Sequence, residues 1–372
     1  MISAALLARV ACPVCLEPAG CSACTRPAGH GGCAEYSARV RCGCGGPDKV
    51  RLHVEPAGLR CQCCSASYPV HEAAGYADLA PRARVGEVTQ YADHEFHERM
   101  GVVDAPPLLS ARIKADMMRG MLRPQPGETV LDLGCGAGKF ALFTGQGGVQ
   151  AAGIDLAPFF LPRAARQLDL VVGDLRRLPF RKGAFPKAYT LDVLEHLDEA
   201  GVLDVLLEAR RSLGMDGRLF VYTHAMESSR IASFQRAVNR LARRLGSAGL
   251  IDHEREALRK SDHVNAIRSH EHFDALCEAT GLRVLERRYY NVVFKAVVED
   301  LLLRMLQHAR RDAKAPLPMS PHAHALAAPA TAPGPLVVAA ATLATWLLKL
   351  DVLLFGRIRT GPFFGLLAPR AR

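Results

Sequence analysis

The stretch Val130-Leu131-Asp132-Leu133-Gly134-Cys135-Gly136-Ala137-Gly138-Lys139-Phe140 decides how this chain is read. An apolar strand runs into three glycines at alternate positions, and a helix opens after them. Glycine lets the backbone turn tightly and lets a ligand lie against the main chain with no Cβ in the way. The loop amides and the helix N-terminus that follows favour a carboxylate. Spacing narrows the choice. A dinucleotide fingerprint would place its third glycine at Lys139, whereas it falls at Gly138, and a phosphate loop would need Gly-Lys-Ser/Thr after four spacers.

From Thr129 onward, short apolar runs alternate with amphipathic stretches, the pattern of βαβ units and a parallel sheet. Strands are predicted near 129–133, 150–154, 169–173, 187–191, 217–223 and 283–289. Gly153-Ile154-Asp155 ends the second strand about twenty residues beyond the loop, which suits a carboxylate accepting two ribose hydroxyls. Leu156 follows it. Gly173-Asp174-Leu175 ends the third strand, where Asp174 can accept an adenine amino group and Leu175 can cover the ring. A single strand-end Asp is more often a cap or turn residue. Three hits in order, each at a strand's carboxyl end, reverse that reading.

The segments LDLGCGAGKF, GIDLAP, GDLRRLPF and LDVLEHLDEA together resemble class I methyltransferases of the broad group that includes ubiquinone and menaquinone biosynthesis enzymes. The resemblance covers residues 128 to 225 and is specific for fold and cofactor, not for acceptor. It implies S-adenosylmethionine as donor, held by Asp132, Gly134, Cys135, Gly136, Gly138, Asp155, Leu156, Asp174, Leu175 and Asp192. Tyr91, in the helix before the core, resembles a position that touches the cofactor carboxylate. The implied fold is a doubly wound, seven-stranded, Rossmann-like α/β sheet whose last strand is antiparallel. Phe363 to Leu367 is the candidate for that strand, which makes Tyr290 to Gly361 an insertion before it. One departure is Ala184-Phe185-Pro186, where the family has Phe-Asp; Pro186 shifts a turn without touching the ligand contacts.

Methyl transfer from a sulfonium is an in-line displacement, so positioning supplies much of the catalysis and a base is optional. Asp192, Glu195 and His196 follow the fourth strand, where His196 can take a proton from an acceptor hydroxyl. Packing or capping is the competing role for His196. His224, and His263 in Ser261-Asp262-His263-Val264-Asn265, are comparable rim candidates. The Asp-Pro-Pro-Tyr of exocyclic-amine DNA methyltransferases is absent after the fourth strand, which disfavours that substrate class.

The N-terminus poses a separate problem. Ten of the twelve cysteines lie between Cys12 and Cys64. Met1 to Ala11 has no basic region and only a short apolar run, so an exported disulfide framework is disfavoured, and reduced cysteines holding metal in the cytoplasm are expected. Cys12-Pro-Val-Cys15 and Cys61-Gln-Cys-Cys64 are two knuckles able to share one tetrahedral zinc. Leu59 to Val70 resembles the closing half of a small zinc-ribbon protein that activates tRNA methyltransferases. Cys21, Cys24, Cys42 and Cys44 are candidates for a second structural zinc, with His30 and His53 nearby.

The domain reading is a cysteine-rich ribbon over 1–80, a helical lead-in over 81–127, the core over 128–290, a helical insertion with an Ala/Pro-rich linker over 291–360, and a closing strand and tail over 361–372. In the insertion, Val292 to Leu306 and Leu336 to about Phe355 read as apolar helices. Leu336 to Leu348 is apolar without a break, yet spans only about 20 Å of helix against a hydrocarbon core of about 30 Å. A buried or lid helix is preferred to a membrane-docking one. The lid points to an apolar or lipid-like small-molecule acceptor. The formal charge of +10 keeps an RNA base methyltransferase as the second reading, with the ribbon gripping RNA. A non-catalytic scaffold is the third.

Overall fold

The computed structural model describes residues 3–13, 52–56, 58–61, 64–80, 90, 93, 104, 106–228, 231–247, 262–298, 301 and 335–370. Helix α1 (Ala4–Arg9) opens it, followed by strands β1 (Leu52–Glu55), β2 (Gly58–Cys61), β3 (Ser67–Tyr68), β4 (Val70–His71) and β5 (Tyr76–Asp78). The core then runs α2 (Leu109–Leu122), β6 (Thr129–Leu133), α3 (Lys139–Thr144), β7 (Gln150–Asp155), α4 (Pro162–Gln167), β8 (Asp169–Val172), β9 (Phe185–Leu191), α5 (Glu199–Ser212) and β10 (Leu213–His224). It closes with α6 (Ala232–Ser247), α7 (His270–Ala279), β11 (Leu282–Tyr289), α8 (Val293–Val297), α9 (Pro335–Phe355) and β12 (Pro362–Pro369).

The main sheet has the order β11-β12-β10-β9-β6-β7-β8-β5-β4. Strands β6 to β10 pair in parallel, and β12 is antiparallel to both β10 and β11. These are the seven strands of the doubly wound sheet, with the last one reversed. Strand β6 is buried along its whole length, as expected of a parallel strand covered on both faces. Its period of two sends Leu131 and Leu133 into one apolar layer and Val130 into the other. Helix α5 packs Val202, Val205, Leu206 and Ala209 into the first layer at helical spacing, and Asp198 caps its start by accepting Gly201 N at 2.7 Å. In β12, Phe363 and Phe364 point into opposite layers. Replacing either by Ala costs about 3–5 kcal/mol.

Two differences from the sequence reading concern the ends. The sheet has nine strands, because β5 adds in parallel to β8 and β4 adds to β5. The described part of the N-terminal region is therefore built into the body of the main sheet. Ser3 Oγ donates to Asp169 Oδ2 at 2.6 Å, Arg9 reaches Ala184 O and Thr129 Oγ1, and Val10 bridges Phe180. Leu6, Val10 and Ala11 are buried in the same layer as Leu131. Composition could not reveal this, because these contacts join residues far apart in the chain.

The second difference is α9. It buries Leu348 and Asp351 but leaves Leu343, Trp346, Leu347, Leu353 and Leu354 in solvent, so it is a half-exposed helix rather than a buried one. Among the described residues no helix is long and apolar enough to cross a membrane. The stretch 302–334, which includes the Ala/Pro-rich linker, lies outside the described residues.

Candidate active site

At the carboxyl end of β6 the chain turns on three glycines with φ of +80° at Gly134, +50° at Gly136 and +80° at Gly138. An L side chain in that region is strained by roughly 1–2 kcal/mol. The space around the three differs. A Cβ at Gly134 would lie 2.4 Å from Val193 Cγ2 and one at Gly138 would lie 2.7 Å from Ala164 Cβ, whereas one at Gly136 meets nothing within 4 Å. Gly134 and Gly138 are thus required by packing. Gly136 borders open space above the main chain, and its N–H donates to Asp155 Oδ2 at 2.7 Å. The carboxylate at the end of β7 therefore sits at the loop, and Leu156 beside it is half-buried.

The other members of the predicted set divide by orientation. Cys135 is buried, with its sulfur 2.7 Å from where a Gly153 Cβ would stand. Burial, reinforced by Asp155 and Asp132, pushes its thiol well above the usual range, so it packs and is no nucleophile. Asp132 is 3% exposed and accepts the Tyr189 hydroxyl at 2.8 Å. Burial pushes its carboxyl up to about 8 against that hydrogen bond, with Asp155 adding to the rise. Asp174 is buried and caps the turn Leu175–Arg177, accepting Arg176 N at 2.9 Å and the Arg176 guanidinium on both oxygens. Leu175 lies against Gly134. Asp192, at φ +55°, is paired with Lys114 of α2, whose Nζ is 4.5 Å from the centre of the Tyr222 ring. Nothing in the spacing of α2 announced Lys114. Tyr91 lies outside the described residues.

Beyond β9 and β10 a second cluster faces the same edge. His196 Nδ1 lies 2.9 Å from Asp262 Oδ1, and Gln90 Nε2 donates to that same oxygen at 2.9 Å. The His196 ring meets His263 edge to face at 4.6 Å. Burial and then the neighbouring His196 push His263 below the ordinary histidine value. Glu195 is buried, accepts Thr223 Oγ1 at 3.1 Å, and has His224 Nδ1 3.4 Å away. Burial opposes the charged form of Glu195, yet the His224 imidazole beside it holds the carboxyl at about 2. The Glu195 carbonyl accepts Val264 N and Asn265 N, tying the segment 262–265 to the strand end. The structure thus joins His196, His224 and His263, and adds Gln90 and Asp262, which sequence spacing had not marked as partners.

A third group lies under β2. Cys12, Cys61 and Cys64 hold their sulfurs within 4.8 Å of one another, and Cys12 Sγ is 3.5 Å from Cys64 Sγ. Zinc bonds of about 2.3 Å in a tetrahedron place sulfurs roughly 3.8 Å apart, so these three thiols fit one ion. Cys15, Cys21, Cys24, Cys42 and Cys44 lie outside the described residues, and the described cysteines form no disulfide. A cleft of about 620 Å³ opens near the start of β7 and β8, between the N-terminal strands and α4. That is the amino end of those strands, away from the glycine loop.

Residues 130–217 match the family described as "Methyltransferase domain". The chain carries a methyltransferase domain. This domain spans the glycine loop, Asp155, Asp174 and the His196 turn, and ends inside β10. Over 95 residues the chain is 33% identical to an uncharacterized methyltransferase of Synechocystis, covering 25% of this chain and 45% of that protein. Over 113 residues it is 32% identical to the Bos taurus protein named "Probable tRNA methyltransferase 9B", covering 30% and 24%. The match thus takes in less than half the length of either relative. The structure of Haemonchus contortus phosphoethanolamine N-methyltransferase 2 is similar at 14% identity and a TM-score of 0.46, covering 76% of this chain and 58% of that one.

Proposed function

We propose that this chain transfers a methyl group from S-adenosylmethionine to an apolar or lipid-like small molecule. The observation that carries the donor half is the open main chain at Gly136 with Asp155 at its side. The donor supplies an electrophilic methyl on a sulfonium. Gly134 to Gly138 offer main-chain donors to its methionine end, Asp155 exchanges Gly136 N for ribose hydroxyls, and Leu175 covers the base. Asp174 recognises the base amino group only if its carboxylate shares itself with Arg176. Asp192, charge-balanced by Lys114, closes the crevice from the β9 side.

For an acceptor that loses a proton, His196 is the base. Asp262 accepts from Nδ1 and so fixes the tautomer that leaves Nε2 able to take a proton. His224 and His263 line the same rim. Calorimetry with purified protein tests the donor reading: S-adenosylmethionine binds the wild type, and Asp155→Ala weakens it sharply. An unchanged affinity in that variant sinks the assignment, and no heat at all in the wild type favours a scaffold.

The structural zinc is part of the same proposal, with Cys12, Cys15, Cys61 and Cys64 as ligands. Four thiolates close a tetrahedral site and leave no open position for catalysis. The RNA reading keeps support from the name of the Bos taurus relative and the charge of +10. It requires RNA binding that falls steeply with salt.

A further inference from the structure

The helices α6, α8 and α9 all join the sheet at one edge. Helix α6 follows His224 at the end of β10, α8 follows Tyr289 at the end of β11, and α9 precedes Pro362, which pairs with His224. Helix α8 packs against both of the others. This layer therefore borders the edge where the glycine loop and the histidine cluster sit.

Its outer surface has two unusual parts. Helix α6 carries Arg236, Arg240, Arg243 and Arg244 and no acidic residue. Arg236, Arg240 and Arg244 are exposed, and no ion pair is formed by them among the described residues. The same helix buries Val238 and Ala242 while Phe234 and Leu241, on the neighbouring stripe, stay exposed. Helix α9 adds Leu343 at 67%, Trp346 at 64% and Leu353 at 77% exposure. Its polar groups turn the other way: Thr345 Oγ1 accepts Leu109 N, Lys349 pairs with Asp116, and Asp351 accepts Phe294 N and Lys295 N. These bonds hold α9 flat on the body with its apolar side outward.

We infer that α6 and α9 dock this enzyme on an anionic lipid bilayer, with the crevice opening toward the membrane. The inference rests on the apolar-acceptor reading above and deepens it by naming where such an acceptor is met. Cationic side chains beside exposed aromatic and leucine side chains are the composition of an interfacial helix. An RNA partner accounts for the arginines but leaves Phe234, Leu343, Trp346 and Leu353 in water, so the bilayer is favoured.

Trp346 is the sole tryptophan of the chain, which makes its emission a direct probe. Full-length protein is titrated with phosphatidylglycerol-containing vesicles, with phosphatidylcholine vesicles, and with a structured RNA. The expected result is a blue shift and co-sedimentation with the anionic vesicles, weakening as salt rises. Arg240→Gln combined with Arg244→Gln lowers partitioning roughly 30-fold, at about fivefold per arginine. Leu343→Ser combined with Leu353→Ser removes the blue shift. Calorimetry with S-adenosylmethionine checks that both variants are folded and separates the two claims. Protein that binds the donor but ignores anionic vesicles overturns the docking surface alone. Vesicle binding without donor binding overturns the donor reading alone. Equal partitioning into phosphatidylcholine, or a response to RNA only, also overturns the docking surface.

Discussion

The glycine loop and the histidine cluster, at the same edge of the sheet, are built by opposite means. The proposed donor side is main chain: three glycines within five residues, each at positive φ, and one carboxylate a single strand away. The proposed acceptor side is side chain: Gln90 meets Asp262, Asp262 meets His196, and Glu195 meets Thr223 and His224. Backbone geometry is dictated by residues adjacent in sequence, whereas a side-chain cluster of this kind exists only once distant segments have packed. On the proposed reading, the loop geometry is independent of the side chains that meet the acceptor.

The largest expected effect tests that division directly. His196→Ala, or Asp262→Asn, lowers kcat by roughly 10²- to 10⁴-fold for an acceptor that must be deprotonated, while donor affinity measured by calorimetry stays within twofold. A parallel loss of donor affinity would erase the distinction between the two sides. Next, Asp155→Ala weakens donor binding by roughly 10- to 150-fold, the worth of charge-assisted hydrogen bonds of about 1.5–3 kcal/mol. Gly136→Ala sharpens the picture further. Its methyl meets no protein atom within 4 Å, so unfolding temperature falls by only about 2–4 °C while donor affinity drops roughly 10- to 100-fold through overpacking against the ligand. Gly134→Ala, which drives into Val193, destabilises the fold itself.

Two smaller effects are read in stability against pH. Glu195 is held at about 2, below its ordinary 4.5. Its contribution is complete above 4.5 and is lost as pH falls from there toward 2, so Glu195→Gln flattens the acid limb of the denaturation profile. Asp132 has the opposite sign. It is raised from 3.8 to about 8, so the folded state holds its proton more tightly and stability declines as pH rises from about 4 to 8. Asp132→Asn removes that decline. Urea midpoints between pH 3 and 9 check both.

The same contrast explains what could be read in advance. The β6 strand, the loop and Asp155 were legible because period-two burial, positive-φ glycines and strand-end carboxylates are local signals. The reversed closing strand at Phe363 to Leu367 was legible only through family resemblance. The pairing of Asp174 with Arg176 is local too, but nothing in Asp-Leu-Arg distinguishes a capped turn from a base contact. Lys114, Gln90 and the fusion of β5 to β8 carry no local mark, since each depends on a partner distant in sequence. The apolar run of α9 left a buried and a lid helix both open, because an unbroken apolar run says nothing about which side has a neighbour; the exposed Leu343, Trp346 and Leu353 exclude the fully buried one.

The placement of β12 has a consequence for biosynthesis. Among the described residues strand β11 is joined to the sheet only through β12, and the chain from Tyr290 to Gly361 must leave the ribosome between them. At about 5–20 residues per second, β11 waits seconds without its partner, its edge open to mispairing. Helix α7 packs Phe273 and Leu276 into the first apolar layer, which covers a face of the sheet and leaves the hydrogen-bonding edge of β11 to wait for the strand that locks it.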